Sequence, residues 1–339
     1  MMHWHARARG AHPAVLGLLV LLLSTVALTL SHAQEPQGLG LAVVSVGTTV
    51  RDMDRALAFY RDVLEFEPGF DVEFTDPGYD RLVGVFEARV RVVGLSLGPN
   101  QIELTQFITT RGRDIPPDSR SNDAWFQHLA LVVTDIERAT ARLRTHSVPL
   151  VSPAPQRFPD GRAILYFNDP DGHPLELAEF PGERPVNPAK LFQRTDHSAL
   201  VVHDLDASLA FYQRLGFQVT SRAEGLSPVQ ERLNNVFGLH LEIVGLRLPQ
   251  GGMGLELLHY LTPSSGRPFP ADTRPNDLLH RHVTITTPKL AEAFQTLRQA
   301  RADLRSPEVA SFTAGSLGQR RAFAVADPTG HVLEVIERP

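Results

Sequence analysis

The pattern of hydrophobic and polar positions occurs twice along the chain. The stretch from Val50, VRDMDRALAFYRDVLEF, closely matches the stretch from Val202, VHDLDASLAFYQRLGF. In both, a strand leads to an Asp and then to the apolar spacing of an amphipathic helix. Further on, RLVGVFEARVRVVGLSLG from Arg81 matches RLNNVFGLHLEIVGLRLP from Arg232, with the alternation typical of strands. The pattern therefore predicts a tandem of two large halves.

Each half itself contains two copies of a smaller unit. One internal unit opens at His128 and ends in NDPDGHPLELAEF from Asn168, and its counterpart opens at His282 and ends in ADPTGHVLEVIE from Ala326. The Asp-Pro-x-Gly-His segment predicts a turn before an apolar strand, because Pro fixes φ and Gly adopts positive φ. The Pro-rich connector between the units is also duplicated, as GRDIPPDSRSND from Gly112 and GRPFPADTRPND.

These repeats predict four βαβββ units, at about 40–110, 124–181, 194–262 and 279–337. Such units give an α+β fold with curved, mostly antiparallel sheets and helices on the outer faces. We expect two domains, residues 40–181 and 194–337, in which the first unit pairs with the second and the third with the fourth.

The first 33 residues have the pattern of an export signal. Arg7 and Arg9 belong to a basic start, residues 14–30 are apolar and uncharged, and Ser31-His32-Ala33 offers small residues for cleavage. We predict a signal peptide at 1–33, a mature chain that begins at Gln34, and a periplasmic or secreted protein. The alternative is an uncleaved membrane anchor, because the apolar run approaches spanning length.

Composition narrows the possible partners. The chain of 339 residues has a net charge of −5 and a pI of about 6.3, so it lacks a basic field for nucleic acid or an anionic membrane. It contains no cysteine, so any metal must be held by His, Asp or Glu. A small-molecule substrate, with no nucleic acid and no membrane after signal cleavage, is the expectation.

The pattern H-x-A-L-x-V-x-D-L-x-x-S-L-x-F-Y from His197 to Tyr212, followed by an E-L strand and repeated in βαβββ units, resembles the vicinal-oxygen-chelate superfamily. That superfamily includes glyoxalase I, extradiol dioxygenases and bleomycin-binding proteins. The resemblance implies that paired units form a cup, in which the first and last strands of each unit offer one metal ligand apiece.

The resemblance also implies which residues are ligands. Counting seven positions back from the residue at each helix start gives His128, His197 and His282, whereas the first unit has Ser45. The last-strand position is Glu in all four units: Glu103, Glu176, Glu256 and Glu334. We therefore expect one divalent ion, which could be Zn, Ni, Co, Mn or Fe(II), in the C-terminal half, held by His197, Glu256, His282 and Glu334. Glu103, His128 and Glu176 form an incomplete N-terminal set. The alternative is that these Glu residues face water on half-exposed strands.

Other residues have possible roles in the reaction. The resemblance to glyoxalase I suggests Glu334 or Glu256 as the base, and His280 shares a strand face with His282, so it is a further candidate for proton transfer. Arg232 could bind a substrate carboxylate or could be an ordinary surface cation.

The leading functional hypothesis is a metal-dependent, glyoxalase-I-like isomerase or lyase acting on a small molecule with vicinal oxygens. A non-haem Fe(II) extradiol-type dioxygenase using His197, His282 and Glu334 is the second. A metal-free small-molecule binding protein of the bleomycin-resistance type is the third.

Overall fold

The computed structural model describes residues 39–264 and 266–338. The predicted signal peptide, its basic start and the cleavage site at Ser31-His32-Ala33 lie outside the described residues. Within the described part, the helices are too short or too polar to cross a membrane.

The two units of the N-terminal half each carry one main helix packed on strands. The elements of the first unit are β1 (Ala42–Thr49), α1 (Met53–Leu57, continued by a π-helical turn at Ala58–Val63), β2 (Glu67–Thr75), α2 (Pro77–Val83), β3 (Arg89–Leu97) and β4 (Asn100–Phe107). The elements of the second unit are β5 (Gln127–Val133), α3 (Ile136–Thr145), β6 (Gln156–Arg157), β7 (Ala163–Asn168) and β8 (Pro174–Glu179).

The C-terminal half repeats this order. The elements of the third unit are β9 (Phe192–Val202), α4 (Leu205–Arg214), β10 (Gln218–Gly225), α5 (Pro228–Asn234), β11 (His240–Arg247) and β12 (Gly254–Thr262). The elements of the fourth unit are β13 (Arg281–Thr287), α6 (Leu290–Gln299), β14 (Asp303–Leu304), β15 (Ala310–Thr313), a 3₁₀ turn (Gly315–Leu317), β16 (Gln319–Ala326) and β17 (Val332–Glu337). The predicted α+β class, with curved sheets built from four repeats, is confirmed.

The Asp at each predicted helix start caps its helix. The side chains of Asp52, Asp135 and Asp204 accept hydrogen bonds from backbone N–H groups in the first turns of α1, α3 and α4. An N-cap carboxylate satisfies a donor that the helix itself leaves free. Lys289 occupies this position in α6 without a side-chain cap bond. The Asp caps stabilise the starts of α1, α3 and α4 at the residues that the repeats predicted.

The strand order shows that the predicted pairing of units is wrong. One sheet runs β14-β16-β17-β13-β1-β4-β3-β2, so it joins the first and fourth units. The other runs β10-β11-β12-β9-β5-β8-β7-β6 and joins the second and third units. We call their concave faces the 1–4 cup and the 2–3 cup. Each sheet therefore takes one unit from each sequence half.

The duplicated connectors also contact each other across the sequence halves. Arg113 of the first connector donates to Asp277 of the second through Nη2 at 2.7 Å, and to Asp272 through Nη1 at 2.9 Å. Arg267 of the second connector donates in the same way to Asp123 and Asp118 of the first, at 2.8 and 2.9 Å. The chain thus crosses itself through a symmetric pair of arginine clamps.

The helices and the cups bury different apolar surfaces. One large core lies between the helices and the outer faces of both sheets, and it includes Tyr60, Tyr212 and Phe192. Two smaller clusters lie inside the cups, one around Tyr79 and Phe312 and the other around Phe126, Tyr166 and Tyr260. Because strand side chains alternate in direction, a polar residue between apolar core residues points into a cup.

Candidate metal centre

The 2–3 cup brings two histidines and two glutamates together. Strands β5 and β9 are antiparallel neighbours at the seam between the units, and His128 pairs with Ala199 there. On β12, Glu256 lies beside Ala199 of β9. On β8, Glu176 lies beside Ala130 of β5. Both units thus contribute a first-strand imidazole and a last-strand carboxylate to the same concave surface.

Three of the side chains are close enough to share one ion, and the fourth, Glu256, lies beside His197. His128 Nε2 lies 3.1 Å from Glu176 Oε2, and His197 Nε2 lies 3.4 Å from Glu256 Oε2. One donor atom from each of His128, Glu176 and His197 lies within 4.8 Å of the others. The two imidazole rings are 5.6 Å apart between centroids. This donor set suits a borderline divalent ion.

Buried nitrogen atoms without hydrogen bonds indicate what the cluster lacks. Among the described residues, Nδ1 and Nε2 of His128 and Nε2 of His197 are buried and have no hydrogen-bond partner, in spite of the nearby carboxylates. A buried polar atom that makes no hydrogen bond costs free energy, and native structures contain few of them. A metal ligated by both Nε2 atoms would satisfy two of these three nitrogens, so the residues present fit a divalent ion.

Asp196 orients one of the histidines. Its carboxylate lies 3.0 Å from His197 Nδ1, which leaves Nε2 directed towards Glu256. A carboxylate on the distal nitrogen is the usual support of a metal-binding imidazole. Burial lowers the pKa of His197, but the charges of Glu256 and Asp196 outweigh it and raise the pKa to about 9. Metal binding would therefore displace a proton from this ring.

Aromatic side chains enclose the other histidine. His128 is fully buried, and the ring of Tyr166 lies 4.8 Å from it and that of Phe126 5.8 Å, between centroids. Glu176 is also buried, whereas the side chain of Glu256 keeps 30% of its surface exposed. The cluster is thus closed on the His128 side and open at Glu256.

The 1–4 cup has a different donor set at the equivalent positions. Ser45 replaces the first-unit histidine, and its hydroxyl donates to Glu103 at 3.0 Å. His282 Nε2 lies 3.9 Å from Glu334 Oε2, and its Nδ1 lies 3.3 Å from Nε2 of His280. This cup offers one first-strand imidazole where the 2–3 cup offers two.

Burial and neighbouring charges shift the pKa values of the carboxylates and of His282 in the 1–4 cup. Burial and then the nearby charge of Glu103 raise the pKa of Glu334 to about 8. Burial also raises the pKa of Glu103, and the Ser45 hydroxyl and the positive charge of Arg320 oppose that rise. Burial lowers the pKa of His282 to about 4, so the ring is neutral at neutral pH.

The structure therefore divides the four residues predicted as one ligand set. His197 and Glu256 lie in the 2–3 cup, whereas His282 and Glu334 lie in the 1–4 cup, because the units pair across the sequence halves. The incomplete N-terminal set is divided in the same way. His128 and Glu176 lie with His197 and Glu256 in the 2–3 cup, and Glu103 lies with His282 and Glu334 in the 1–4 cup.

The other sequence candidates lie apart from the 2–3 cluster. His280 lines a cavity of the 1–4 cup, and burial followed by the charge of His282 lowers its pKa to about 3. Arg232 is exposed on α5, and its Nε donates to Gln156 of the neighbouring unit at 2.9 Å. Asp196 and Tyr166 were not predicted as members of a metal centre, although the adjacency of Asp196 and His197 is visible in the sequence.

Comparison with known proteins is consistent with the repeats and the cups. The family model of the Glyoxalase/Bleomycin resistance protein/Dioxygenase superfamily matches residues 42–177 and 194–335. A lactoylglutathione lyase of Schizosaccharomyces pombe is 28% identical over 52% of this chain and 59% of its own length, so the match spans little more than half of that relative. A 2-epi-5-epi-valiolone epimerase of Actinomyces sp is 30% identical over 43% of this chain and 82% of its own.

A solved structure extends the similarity to the whole architecture. Glyoxalase I from Zea mays aligns over 88% of this chain and 92% of its own, with a TM-score of 0.60 and 15% sequence identity. At that identity the likeness concerns the fold.

Proposed function

Since the chain belongs to the Glyoxalase/Bleomycin resistance protein/Dioxygenase superfamily, we propose that it is a metal-dependent isomerase or lyase of the glyoxalase-I-like type. Its substrate is a small molecule with vicinal oxygens. The 2–3 cup is the active site, and His128, Glu176, His197 and Glu256 would hold one divalent ion. The observation that carries the proposal is the set of buried imidazole nitrogens without hydrogen bonds.

The residues around the ion divide the work. A bound divalent ion supplies positive charge that lowers the cost of a developing oxyanion. Asp196 holds His197 in one orientation, and Tyr166 and Phe126 keep water from His128. Glu256 is the exposed carboxylate of the set, so it is placed to take and return a proton next to a substrate carbonyl.

Proton transfer can be tested directly. We expect the purified mature chain with added divalent metal to exchange the α-protons of a panel of α-hydroxycarbonyl compounds, beginning with dihydroxyacetone, in deuterated water monitored by NMR. Glu256→Gln should abolish the exchange. Glu242→Gln is the matched control, because Glu242 binds His259 outside the cup. Exchange that persisted in Glu256→Gln would refute the role given to Glu256.

A second candidate, an Fe(II) dioxygenase of the extradiol type, has its own support. His128, Glu176 and His197 form a two-His, one-carboxylate cluster, the donor set of non-haem Fe(II) oxygenases. Iron content after purification without chelators, together with colour formation on addition of catechol, distinguishes this activity from isomerase chemistry. The third candidate, a binding protein without metal, requires that the purified chain contain no divalent ion at all.

A mature chain that begins at Gln34 and is periplasmic or secreted remains part of this proposal, on the strength of the sequence pattern of residues 1–33.

A further inference from the structure

The two cups differ most at one pair of equivalent positions. Ala324 on β16 and Tyr166 on β7 occupy the same place in their units, since each backbone N–H donates to a serine hydroxyl, Ser306 and Ser152 respectively, at 2.9 Å. The ring of Tyr166 fills the 2–3 cup beside His128. Alanine leaves that space open in the 1–4 cup, where a cavity of about 380 Å³ is bounded by Ala324, His282 and Glu334.

A second cavity continues on the other side of the same polar pair. It has a volume of about 220 Å³, and both His282 and Glu334 line it as well. Its wall is aromatic: Phe74, Tyr79 and Phe312 line it, with ring centroids 5.1 to 6.3 Å apart. Aromatic walls of this kind favour a flat apolar guest, which can stack or make edge contacts.

The polar groups at the junction suit a hydroxyl and not a metal. Thr284 lies opposite Glu334 in the β13–β17 register, is 2% exposed and lines the second cavity. Within the described part of the chain, its hydroxyl has no hydrogen-bond partner. Arg320 lines the same cavity and already brings a positive charge there, and Glu103 is bound by Ser45.

We propose that the 1–4 cup is a second, metal-independent site that binds an uncharged, phenol-like small molecule, with its ring against the aromatic wall of Phe74, Tyr79 and Phe312 and its hydroxyl at Thr284 and Glu334. The combined volume of the two cavities lies within the range of ordinary small-molecule sites. The occupant satisfies the free Thr284 hydroxyl, and the mixed charges of Glu103 and Arg320 give no advantage to a charged ligand. The site differs from the proposed active site in strands, donors and metal requirement.

Titration with 2-naphthol in the presence of a chelator tests the proposal, because chelation removes any contribution from a metal ion in the 2–3 cup. We expect wild type to bind one equivalent, measured by calorimetry, and naphthalene, which lacks the hydroxyl, to bind about tenfold more weakly. Thr284→Val keeps the shape of the side chain and should weaken 2-naphthol binding by a similar factor. Ala324→Tyr should abolish binding, because Ala324 pairs with Glu334 as Tyr166 pairs with Glu176, so the new side chain would cover Glu334 at the junction of the two cavities. Tyr166 shows that this position of the fold accepts tyrosine.

His128→Ala is the matched control, since it alters only the 2–3 cup, and its affinity for 2-naphthol should equal that of wild type. The proposal is overturned if wild type does not bind 2-naphthol, if Ala324→Tyr folds by thermal unfolding and binds as wild type does, or if His128→Ala loses binding. Should Ala324→Tyr not fold, unchanged affinity in Thr284→Val would overturn the proposal in its place.

Discussion

The arginine clamps between the connectors should contribute measurably to stability. Arg113 donates to Asp277, whose side chain is only 4% exposed, and to the more exposed Asp272. Hydrogen bonds to charged groups contribute about 1.5–3 kcal/mol each, whereas exposed ion pairs contribute about 0–1 kcal/mol. Because the Arg113 side chain is itself 49% exposed, we expect Arg113→Ala to lower the free energy of unfolding by about 2 kcal/mol in total.

The pH dependence of this effect follows from the carboxylate. Burial alone would raise the pKa of Asp277, but the hydrogen bonds from Arg113 lower it below its usual value. A carboxylate with a lowered folded pKa stabilises the protein above its unfolded pKa, and that stability is lost as the pH falls through the folded pKa. The difference between wild type and Arg113→Ala should therefore be full at pH 7 and shrink below about pH 4.

Urea unfolding with a chelator present measures the effect without any contribution from bound metal. Arg113→Lys should fall between wild type and Arg113→Ala, because lysine keeps the charge but loses the planar fork. Arg157→Ala is the control, since Arg157 pairs with Glu137 at a site where both side chains are more than half exposed. If Arg113→Ala destabilised the protein no more than Arg157→Ala, the connectors would not hold the exchanged units together.

Three further outcomes are expected. Asp196→Asn should weaken metal affinity by about 10–100-fold in a competition titration with a coloured chelator, because the orienting partner of His197 is changed; unchanged affinity would argue against that partner. Glu334 has a folded pKa of about 8, so its contribution to stability should fall as pH rises from about 4.5 to 8, by at most about 1.4 kcal/mol per pH unit. Glu334→Gln should remove this slope in chemical unfolding at several pH values, and an unaltered slope would contradict the raised pKa. N-terminal sequencing of the exported chain should begin at or near Gln34, whereas a full-length protein in the membrane fraction would contradict cleavage.

The repeats predicted local structure better than they predicted the partners of each unit. The Asp at each helix start and the alternating Glu strands depend on neighbouring residues, so the periodicity was sufficient to find them. All four units carry nearly the same strand pattern, and any two of them could form a cup on that basis. The observed pairing is accompanied by the reciprocal contacts of Arg113 and Arg267, which join residues about 150 positions apart and leave no periodic signal.

For the candidate site, too, the sequence predicted positions within a unit but not the contacts between units. Each ligand position was found within its own unit, but the assembly of the set required the pairing of β5 with β9. The local sequence pattern also does not show which cup is filled by a side chain and which contains a cavity. The two cups differ because Tyr166 fills one of them, whereas the smaller Ala324 occupies the equivalent position in the other. Only the packed structure shows that these two positions are equivalent.

The metal content of three purified proteins tests the central claim most directly. Wild type, His128→Ala and His282→Ala are prepared without chelators, loaded with one divalent metal, desalted and measured by elemental analysis against protein concentration. The pairing of the second and third units predicts about one ion per chain in wild type and in His282→Ala, and loss of the ion in His128→Ala. Retention in His128→Ala with loss in His282→Ala would contradict the assignment and place the metal in the 1–4 cup.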